Sequence, residues 1–578
     1  MRLRSVALVL IALSVLVKGL IVQEAFFKED DFEFSARAVE DSLGWDYLTR
    51  MHHGQFMPGG FLLAWVLTRI APYSWGLVTG VGLVGHALAG LAVLHMLTVV
   101  FGRRRGILVP LAIFLFSVLT VPVTAWWAAM LNTIPLLIAL PMAVAAHVKH
   151  LRTGRLPLAL QAVGWVLFGL AFFLKAAVIV ILLLALTLGY FRDRARVGPR
   201  TWILYGTALA GYVMLYFTLG GGGADEGSGF PGVPVALDLT WQLLGRTLAT
   251  SVLGGPGRWF SGHDWATVSP LLTVVIVALV LLAVLVALTI RYRRRAVWAW
   301  LILLGYVLAA GLAPVLVGRA HMLGGFLGSD TRYLADAVPV MALVIGLLTM
   351  PVVGEAEPYR RELPSREVRF GTGGMLLGGF LVGSLISITL FGTHLGSRRA
   401  EFIANARQAL AELPNDRPIF DRVAPDFMIS PTYGEYALLS RIVLPLAPQR
   451  MLELYLPGAG PEGLVFDDQG RLRPVTVDGR KVDPPGSCWK ADGTDVVVPL
   501  HEPVPLGGLV RLGTYSPGPG RVTLVLGDDR KHVEVGEGLS QIYFTAPGDL
   551  RSVRLTEMTQ GVKMCFGDLT IGRPVAAP

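Results

Sequence analysis

Long apolar stretches dominate the first two thirds of the chain. Each contains about 20 mostly apolar residues, the length that crosses about 30 Å of hydrocarbon when a helix rises about 1.5 Å per residue. Eleven such stretches occur, at residues 6–22, 75–101, 107–126, 131–148, 156–174, 176–190, 201–219, 269–290, 296–317, 335–352 and 373–391. The pattern therefore predicts an α-helical polytopic membrane domain over residues 1–391.

Beyond residue 391 the pattern changes to short alternating segments separated by Pro, Gly and Asp. Residues 398–413 have a helical pattern, and six later segments have the alternation and spacing of antiparallel strands: 509–515, 521–526, 532–535, 541–545, 553–556 and 562–571. We therefore expect a mixed α/β connecting region at residues 392–470 and a β-sandwich domain at residues 471–578.

The composition agrees with a membrane protein, since 53% of the residues are hydrophobic, 16% are charged and the mean hydropathy is +0.59. A net charge of +9 also suits a nucleic-acid-binding protein. However, the basic residues cluster in alternate short loops, as at residues 103–105 and 293–295. This positive-inside distribution predicts a cytoplasmic N-terminus, and an odd number of spans then places the C-terminal domain outside the cell. We expect a multi-pass protein of the cell membrane without a nucleic-acid partner.

The sequence contains two cysteines, Cys488 and Cys565, and both fall in the region expected outside the cell. A disulfide between them fits an oxidising compartment. The alternative is two unrelated buried thiols. The cysteines and the charge distribution are independent signals, and both favour a C-terminal domain outside the cell.

Two adjacent aspartates, Asp30 and Asp31, follow the first span within an acidic run. They open a long outer segment, in which residues 61–70 predict a helix that is too short to span and lies on the outer surface. A carboxylate within hydrogen-bond reach of a hydroxyl can act as its general base, and a second carboxylate raises the pKa of the first. The alternative is a solvated acidic loop.

Candidate phosphate-binding cations occur at the outer ends of two spans. Lys175 interrupts an apolar run and is the main polar residue of the predicted spans; a lysine in hydrocarbon costs about 2.5 to 3.5 kcal/mol, so its presence needs a reason. Arg332 and Tyr333 lie at the head of the tenth span, and a guanidinium binds phosphate through two parallel hydrogen bonds. The alternatives are snorkelling of Lys175 to the interface and an ion pair of Arg332 with Asp330 or Asp336.

Polar and aromatic residues of the outer segments are candidates for substrate binding. They are His52, His53, Gln55, Trp126, Trp127, Asn132, His263 and Asp264. The two adjacent histidines and one aspartate of the acidic pair have the side chains of a three-ligand metal site. For the tryptophans, the alternative to sugar stacking is a place in the aromatic belt at the membrane interface.

One span, an acidic pair before a surface helix, many further spans and an outer β-domain together resemble the GT-C integral membrane glycosyltransferases, which use polyprenyl-phosphate sugars. The resemblance covers residues 1 to about 391. It implies that Asp30 is the general base for the acceptor and Asp31 its partner, with the reverse assignment as the alternative. It also implies that Lys175, Arg332 and Tyr333 bind the lipid phosphate, and that no metal or other cofactor is required.

The resemblance further implies an inverting transfer of a sugar to a cell-envelope glycan on the extracytoplasmic side. The outer domain is similar to the carbohydrate-binding sandwiches of some actinobacterial arabinofuranosyltransferases, with Trp489 and Tyr515 as stacking or core residues, but no motif favours arabinose over mannose. One rival function is a transporter or flippase for a lipid-linked sugar, which would show buried polar residues within spans and interrupted helices. The other is a non-catalytic, glycan-binding scaffold.

Overall fold

The structure is a computed structural model that describes residues 3–191, 198–219, 229–260, 266–391, 398–413, 418–447, 459–491, 495–500, 504–545, 548, 550–559 and 563–577. The chain divides into two compact units. The first comprises Met1–Phe26, Leu43–Leu67 and Ser74–Gly396, and the second comprises Phe27–Ser42, Thr68–Tyr73 and Ser397–Pro578. The predicted division of the chain at residues 391 and 470 stays a prediction.

The first unit is helical and makes this a multi-pass membrane protein. In the described part of the chain, nine helices are long and apolar enough to span a bilayer: Leu3–Val22, Trp75–Phe101, Trp127–Thr153, Leu174–Phe191, Pro199–Leu219, Leu272–Tyr292, Ala296–Gly318, Thr331–Thr349 and Glu367–Phe391. Shorter helices of this unit include Trp45–Thr49, Pro58–Ile70, Leu156–Leu170, Val233–Thr240 and Ala320–Leu323. The predicted class, a helical membrane domain, is confirmed.

Two of the eleven predicted spans differ from the observed helices. Residues 107–126 form a pair of helices, Arg105–Phe116 and Val118–Thr124, bent by 44°, which count as a tenth span if they cross together. The helix Leu156–Leu170 has 15 residues. At about 1.5 Å per residue it is about 22 Å long, short of the hydrocarbon thickness of about 30 Å. Hydropathy alone cannot detect these breaks, because the bend contains only two small polar residues, Ser117 and Thr120, in an apolar run, and the residues directly after Leu170 remain apolar.

The helix Trp127–Thr153 lies at the centre of this unit, and most of its side chains are buried. Its close contact with the helix Trp75–Phe101 depends on small residues: a Cβ atom at Gly82 would lie 2.2 Å from Met130 Sδ, and one at Gly85 would lie 2.5 Å from Ile134 Cγ2. Glycines allow helix backbones to approach closely in a membrane domain, where packing drives association.

Lys18 and His86 are two of the ionisable side chains that lie fully buried within spans, and they lie next to each other. Lys18 Nζ donates to Thr120 Oγ1 at 2.6 Å and lies 3.4 Å from His86 Nδ1, while Ser14 Oγ lies 3.4 Å from His86 Nε2. Thr120 belongs to the short turn at the bend of the broken helix. The interpretation that Lys175 is the main polar residue of the spans is therefore wrong, because Lys18 lies in a run whose mean hydropathy hides a single lysine.

The second unit combines helices with two antiparallel sheets. Its helices are Asp30–Glu40, Arg398–Glu412 and Leu439–Val443. Among the described residues, β1 (Met51–His52) and β2 (Gln55–Phe56) form a hairpin in the first unit. The strands described in the second unit are β3 (Ala459–Gly460), β4 (Leu464–Phe466), β5 (Leu472–Val482), β6 (Trp489–Ala491), β7 (Val496–Pro499), β8 (Leu509–Ser516), β9 (Gly520–Leu526), β10 (Asp529–Val535), β11 (Gly538–Thr545), β12 (Ser552–Thr556) and β13 (Met564–Ala576).

The strands form a sandwich. One sheet has the order β10-β9-β12-β7, and the other has the order β3-β11-β8-β13-β5-β4 with β6 also paired to β13. Apolar side chains of both sheets, among them Val498, Leu524, Leu512 and Phe544, share one buried core. The six predicted strands correspond to β8 through β13, so the predicted mainly-β C-terminal domain is confirmed.

The predicted disulfide between Cys488 and Cys565 is present, with 5.6 Å between the two Cα atoms. Cys565 lies in β13, and Cys488 directly precedes β6, which pairs with β13. The bond therefore fastens a short strand to the middle of the larger sheet.

Loss of this disulfide should lower the stability of the second unit. Its cysteines are 77 residues apart, and closing a loop of that length stabilises by about 4 kcal/mol in the chain-entropy model. We expect the full-length variant Cys488→Ser/Cys565→Ser to unfold at a lower temperature than the wild type, measured by intrinsic fluorescence in nanodiscs. Dithiothreitol should destabilise the wild type and leave the variant unchanged. Equal melting temperatures for wild type and variant would contradict this.

Candidate functional site

The acidic run after the first span forms the start of a helix in the second unit. The first turn of the helix Asp30–Glu40 contains Asp30, Asp31 and Glu33. Negative side chains stabilise the N-terminal end of a helix, where the backbone N–H groups point outward. The apolar residues Phe32 and Phe34 are buried. The sequence analysis predicted no helix at these aspartates; three acidic residues within one turn are the signal for a helix start that it missed.

The two aspartates have different environments. Asp31 is fully buried, and its Oδ2 accepts the backbone N–H of Lys28 at 2.9 Å, a contact that fixes the beginning of the helix. Asp30 is half-buried, and its Oδ1 accepts the hydroxyl of Tyr433 at 2.5 Å. Asp31 is thus enclosed in the protein, whereas part of Asp30 remains exposed at the surface of its unit.

Glu29, directly before Asp30, has an unusual backbone conformation with φ of 48°. Non-glycine residues in this region carry a strain of about 1 to 3 kcal/mol, which often occurs at functional sites. The backbone N–H of Ser430 donates to Glu29 Oε2 at 3.0 Å. Burial raises the pKa of Glu29 above its ordinary value, and the charge of Asp30 adds to that rise, although the Ser430 hydrogen bond opposes it.

Tyr433 is a partner of Asp30 that the sequence analysis missed. Burial raises the pKa of Tyr433 far above its ordinary value, and the neighbouring Asp30 charge raises it further. The hydroxyl is therefore protonated at neutral pH and acts as a donor to the carboxylate. Tyr433 follows Asp30 by 403 positions, so no local pattern could have connected them.

Lys175 is buried in the first unit and forms an ion pair with a buried carboxylate. Its Nζ lies 2.9 Å from Asp336 Oδ1 and donates to the carbonyl oxygen of Tyr333 at 3.1 Å. The other oxygen of Asp336 accepts the hydroxyl of Tyr306 at 3.0 Å. Lys175 is 8% exposed, so the snorkelling alternative, which needs an exposed ammonium, does not describe its position.

Arg332 is held by both a carboxylate and an aromatic ring. Its guanidinium pairs with the fully buried Asp330, with Nη2 to Oδ2 at 2.6 Å and Nε to Oδ2 at 2.8 Å. The Cζ atom lies 3.9 Å from the ring centroid of Trp126. The ion pair with Asp330, left open as an alternative, is present, and it presets the orientation of the guanidinium.

Tyr333 brings three cations together. Lys175 Nζ lies 6.0 Å from the ring centroid of Tyr333, and Arg332 Cζ lies 5.9 Å from it. On the hydroxyl side, Arg319 Nη1 donates to Tyr333 Oη at 3.3 Å. We call Lys175, Arg319, Arg332 and Tyr333 the Tyr333 cluster. Arg319 was missed by the sequence analysis, although it follows a span end by one residue.

The predicted residues of the hairpin β1–β2 lie in the first unit. The rings of His52 and His53 are 4.3 Å apart between centroids, and Gln55 pairs with His52 across the hairpin. The hairpin is fastened by Tyr216, whose hydroxyl donates to the carbonyl oxygen of Gly54 at 2.8 Å. Asp30 and Asp31 belong to the other unit.

Four further residues were predicted to bind substrate: Trp127, Asn132, His263 and Asp264. Trp127 is buried in the helical core. Asn132 Oδ1 accepts the hydroxyl of Thr133 at 2.9 Å. His263 and Asp264 lie outside the described residues. Roles of these residues in substrate binding stay predictions.

Comparison with protein-family models gave no match for this chain, and comparison with curated proteins gave none. Among solved structures, the chain is similar to ArnT from Cupriavidus metallidurans, whose crystal structure contains bound undecaprenyl phosphate. The TM-score is 0.40 with 13% sequence identity, covering 76% of this chain and 88% of that chain. A TM-score of 0.40 does not establish a common fold, so the function of this chain has to be inferred from its own residues.

Removing one partner of the Lys175–Asp336 pair should destabilise the membrane unit more than removing the charge of both. Lys175→Met leaves the Asp336 carboxylate buried with its cationic partner gone, a change that costs about 3 to 5 kcal/mol. We expect Lys175→Met to lower the melting temperature of the full-length protein in nanodiscs, and Lys175→Met/Asp336→Asn to recover much of the loss. If the double variant melts no higher than Lys175→Met, the pair does not govern this stability.

Proposed function

We propose that this membrane protein is a GT-C-type glycosyltransferase that transfers a sugar from a polyprenyl-phosphate donor to a cell-envelope glycan. The transfer takes place on the extracytoplasmic side and inverts the configuration at the anomeric carbon. The donor is amphipathic: its prenyl chain lies in the bilayer, and its phosphate lies where spans end.

The observation that carries this proposal is the Tyr333 cluster. It stands at the ends of three spans, Leu174–Phe191, Ala296–Gly318 and Thr331–Thr349. Cations in this position suit the phosphate of a lipid, because arginine forms two parallel hydrogen bonds to phosphate oxygens and lysine adds a point charge. Buried charges in membrane domains are costly and mark substrate sites by default.

In the proposed reaction, the acceptor hydroxyl oxygen forms a bond to the anomeric carbon as the bond from that carbon to the donor phosphate breaks. The electron pair of the broken bond leaves with the phosphate, whose charge Arg332 and Lys175 stabilise. The hydroxyl proton passes to a carboxylate. A single displacement on the face opposite the leaving group gives inversion.

We assign the general base to Asp30 and a structural role to Asp31. Asp30 is half-buried and oriented by Tyr433, whereas Asp31 is fully buried and bound to the backbone of Lys28. A base must be within hydrogen-bond reach of its substrate, and a side chain that already fixes a helix start is poorly suited to that role. The proposed mechanism requires no metal.

A flippase for a lipid-linked sugar is the second candidate, and one observation favours it. Lys18 and His86 are fully buried within spans and lie 3.4 Å apart, and Lys18 donates to Thr120 at the bend of a broken helix. Buried polar side chains and interrupted helices are typical of transporters. Measurements of transfer and of translocation distinguish the two functions.

The charge distribution and the disulfide support a cytoplasmic N-terminus with the second unit outside. We expect a membrane-impermeant maleimide to label intact cells carrying Val497→Cys, at an exposed position of β7, but not cells carrying Arg103→Cys, at an exposed position between spans. Both native cysteines are paired, so the wild type is the unlabelled control. Labelling of position 103 without position 497 would reverse the orientation.

Substitution of the proposed base should greatly slow transfer, because the base acts in the chemical step and not in donor binding. We expect Asp30→Asn to lower the transfer rate from a polyprenyl-phosphate sugar in proteoliposomes by about 10²- to 10⁴-fold, because proton transfer by a positioned base contributes about that much. Asp426→Asn, at an exposed position of the same unit, is the matched control. Wild-type transfer by Asp30→Asn would reject Asp30 as the base. Translocation of the lipid by the wild type without any transfer would favour the flippase.

A further inference from the structure

A groove lies on the larger sheet of the sandwich, lined by parts of β8, β11 and β13 and by the segment before β6. Its cavity volume is 380 Å³, near the lower end of the range of about 300 to 1,000 Å³ that holds small ligands. Tyr515, Leu539, Gln541, Asp568 and the disulfide contribute to its lining. We call it the Tyr515 groove.

The strand register explains why these side chains meet. Tyr515 of β8 lies opposite Leu539 of β11 on one side and opposite Cys565 of β13 on the other. Two residues earlier, Gly513 lies opposite Gln541. Side chains at positions i and i+2 of a strand share a face, so Gly513 leaves an opening beside the Tyr515 ring on the same face.

Gly513 and a β-bulge shape one end of the groove. A Cβ atom at Gly513 would lie 2.9 Å from Asp568 Oδ1, so any larger side chain would compete with that carboxylate for space. The register of β13 shifts between Phe566 and Leu569, which places Asp568 in the bulge. Bulges redirect side chains and are common beside binding sites. Asp568 Oδ2 accepts from Arg511 Nη2 at 3.3 Å, and Lys481 Nζ lies 3.9 Å away.

The lining combines exposed apolar surface with planar polar groups. Tyr515 is 48% exposed and Leu539 is 88% exposed, although both lie in a sheet whose other face is the core. The carbonyl oxygen of the Gln541 side chain accepts the hydroxyl of Tyr543 at 2.7 Å, which orients the amide. By contrast, Trp489, the other aromatic residue considered for stacking, is buried in the core of the sandwich.

We infer that the Tyr515 groove binds a sugar residue of a glycan. A sugar ring has an apolar face of C–H groups, which packs on an aromatic ring, and hydroxyls at its edge, which pair with amide and carboxylate groups. The Gln541 amide and the Asp568 carboxylate on the groove lining have further hydrogen-bonding capacity that the hydroxyls of a sugar can use and a purely apolar ligand cannot. That this glycan is the acceptor of the transfer rests on the proposed function. That the groove binds a sugar does not rest on it.

The test uses the full-length protein in nanodiscs and fluorescently labelled linear pentasaccharides of mannose, galactose and arabinose as probes, without donor. We expect at least one probe to bind at millimolar concentration or below, and Tyr515→Ala to weaken its binding at least tenfold. Gly513→Val should abolish binding by filling the groove. Val497→Ala, at an exposed position of the other sheet, is the matched control and should bind as the wild type does.

Three outcomes would overturn the inference: no probe binds the wild type, Tyr515→Ala binds as the wild type does, or Val497→Ala weakens binding as much as Tyr515→Ala. Tyr515→Ala keeps the test decisive if Gly513→Val fails to fold, since Tyr515 is half exposed and outside the core. Binding by the wild type together with an absence of transfer from a polyprenyl-phosphate sugar would refute the proposed function and leave the sugar-binding groove in place.

Discussion

The ion pair between Lys175 and Asp336 is the constraint on which the membrane unit's polar site depends. Each charge is buried, and an unpaired charge at such a position would be strongly destabilising. Lys175 begins one span, Asp336 belongs to a second, and Tyr306, which donates to Asp336, belongs to a third. The pair therefore fixes three spans relative to one another. Because Lys175 also donates to the Tyr333 carbonyl oxygen, it holds the backbone that carries Arg332.

Within this framework, the position of Arg332 is set before any ligand binds. Asp330 and Trp126 hold its guanidinium from two sides, so little side-chain freedom is lost when an anion binds. Arg319 approaches from the far side of Tyr333. An anion placed among these cations would offset their mutual repulsion. For the proposed function, this is the physical reason to expect a phosphate and not a neutral group at the cluster.

The second unit contains both the carboxylate proposed as the general base and the groove proposed to bind a glycan. Asp30 belongs to this unit although it lies near the N-terminus, because the helix Asp30–Glu40 packs on residues 428–443: Tyr433 donates to Asp30, the Ser430 N–H donates to Glu29, and Arg37 stacks on Tyr436. The same unit contains the Tyr515 groove. A carboxylate and a sugar-binding surface on one body suit an acceptor that extends over several sugar residues, since remote binding energy helps to orient the reacting hydroxyl.

The helical membrane unit and the strands β8 through β13 could be predicted from the sequence alone, because hydropathy, alternation and turn residues are local properties. The disulfide could be predicted because the chain has only two cysteines and both fall in the region expected outside the cell. The sequence also singled out Asp30, Lys175 and Arg332 as charged residues beside apolar spans. Three features became visible only in the folded chain. They are the enclosure of Asp31, the carboxylate that pairs with each cation, and the membership of Tyr433, Arg319 and Lys18 in polar clusters. Apart from the Asp330–Arg332 pair, which is local, the hydrogen bonds and ion pairs that form these clusters join residues 14 to 403 positions apart, and they follow from packing and not from any repeat along the chain.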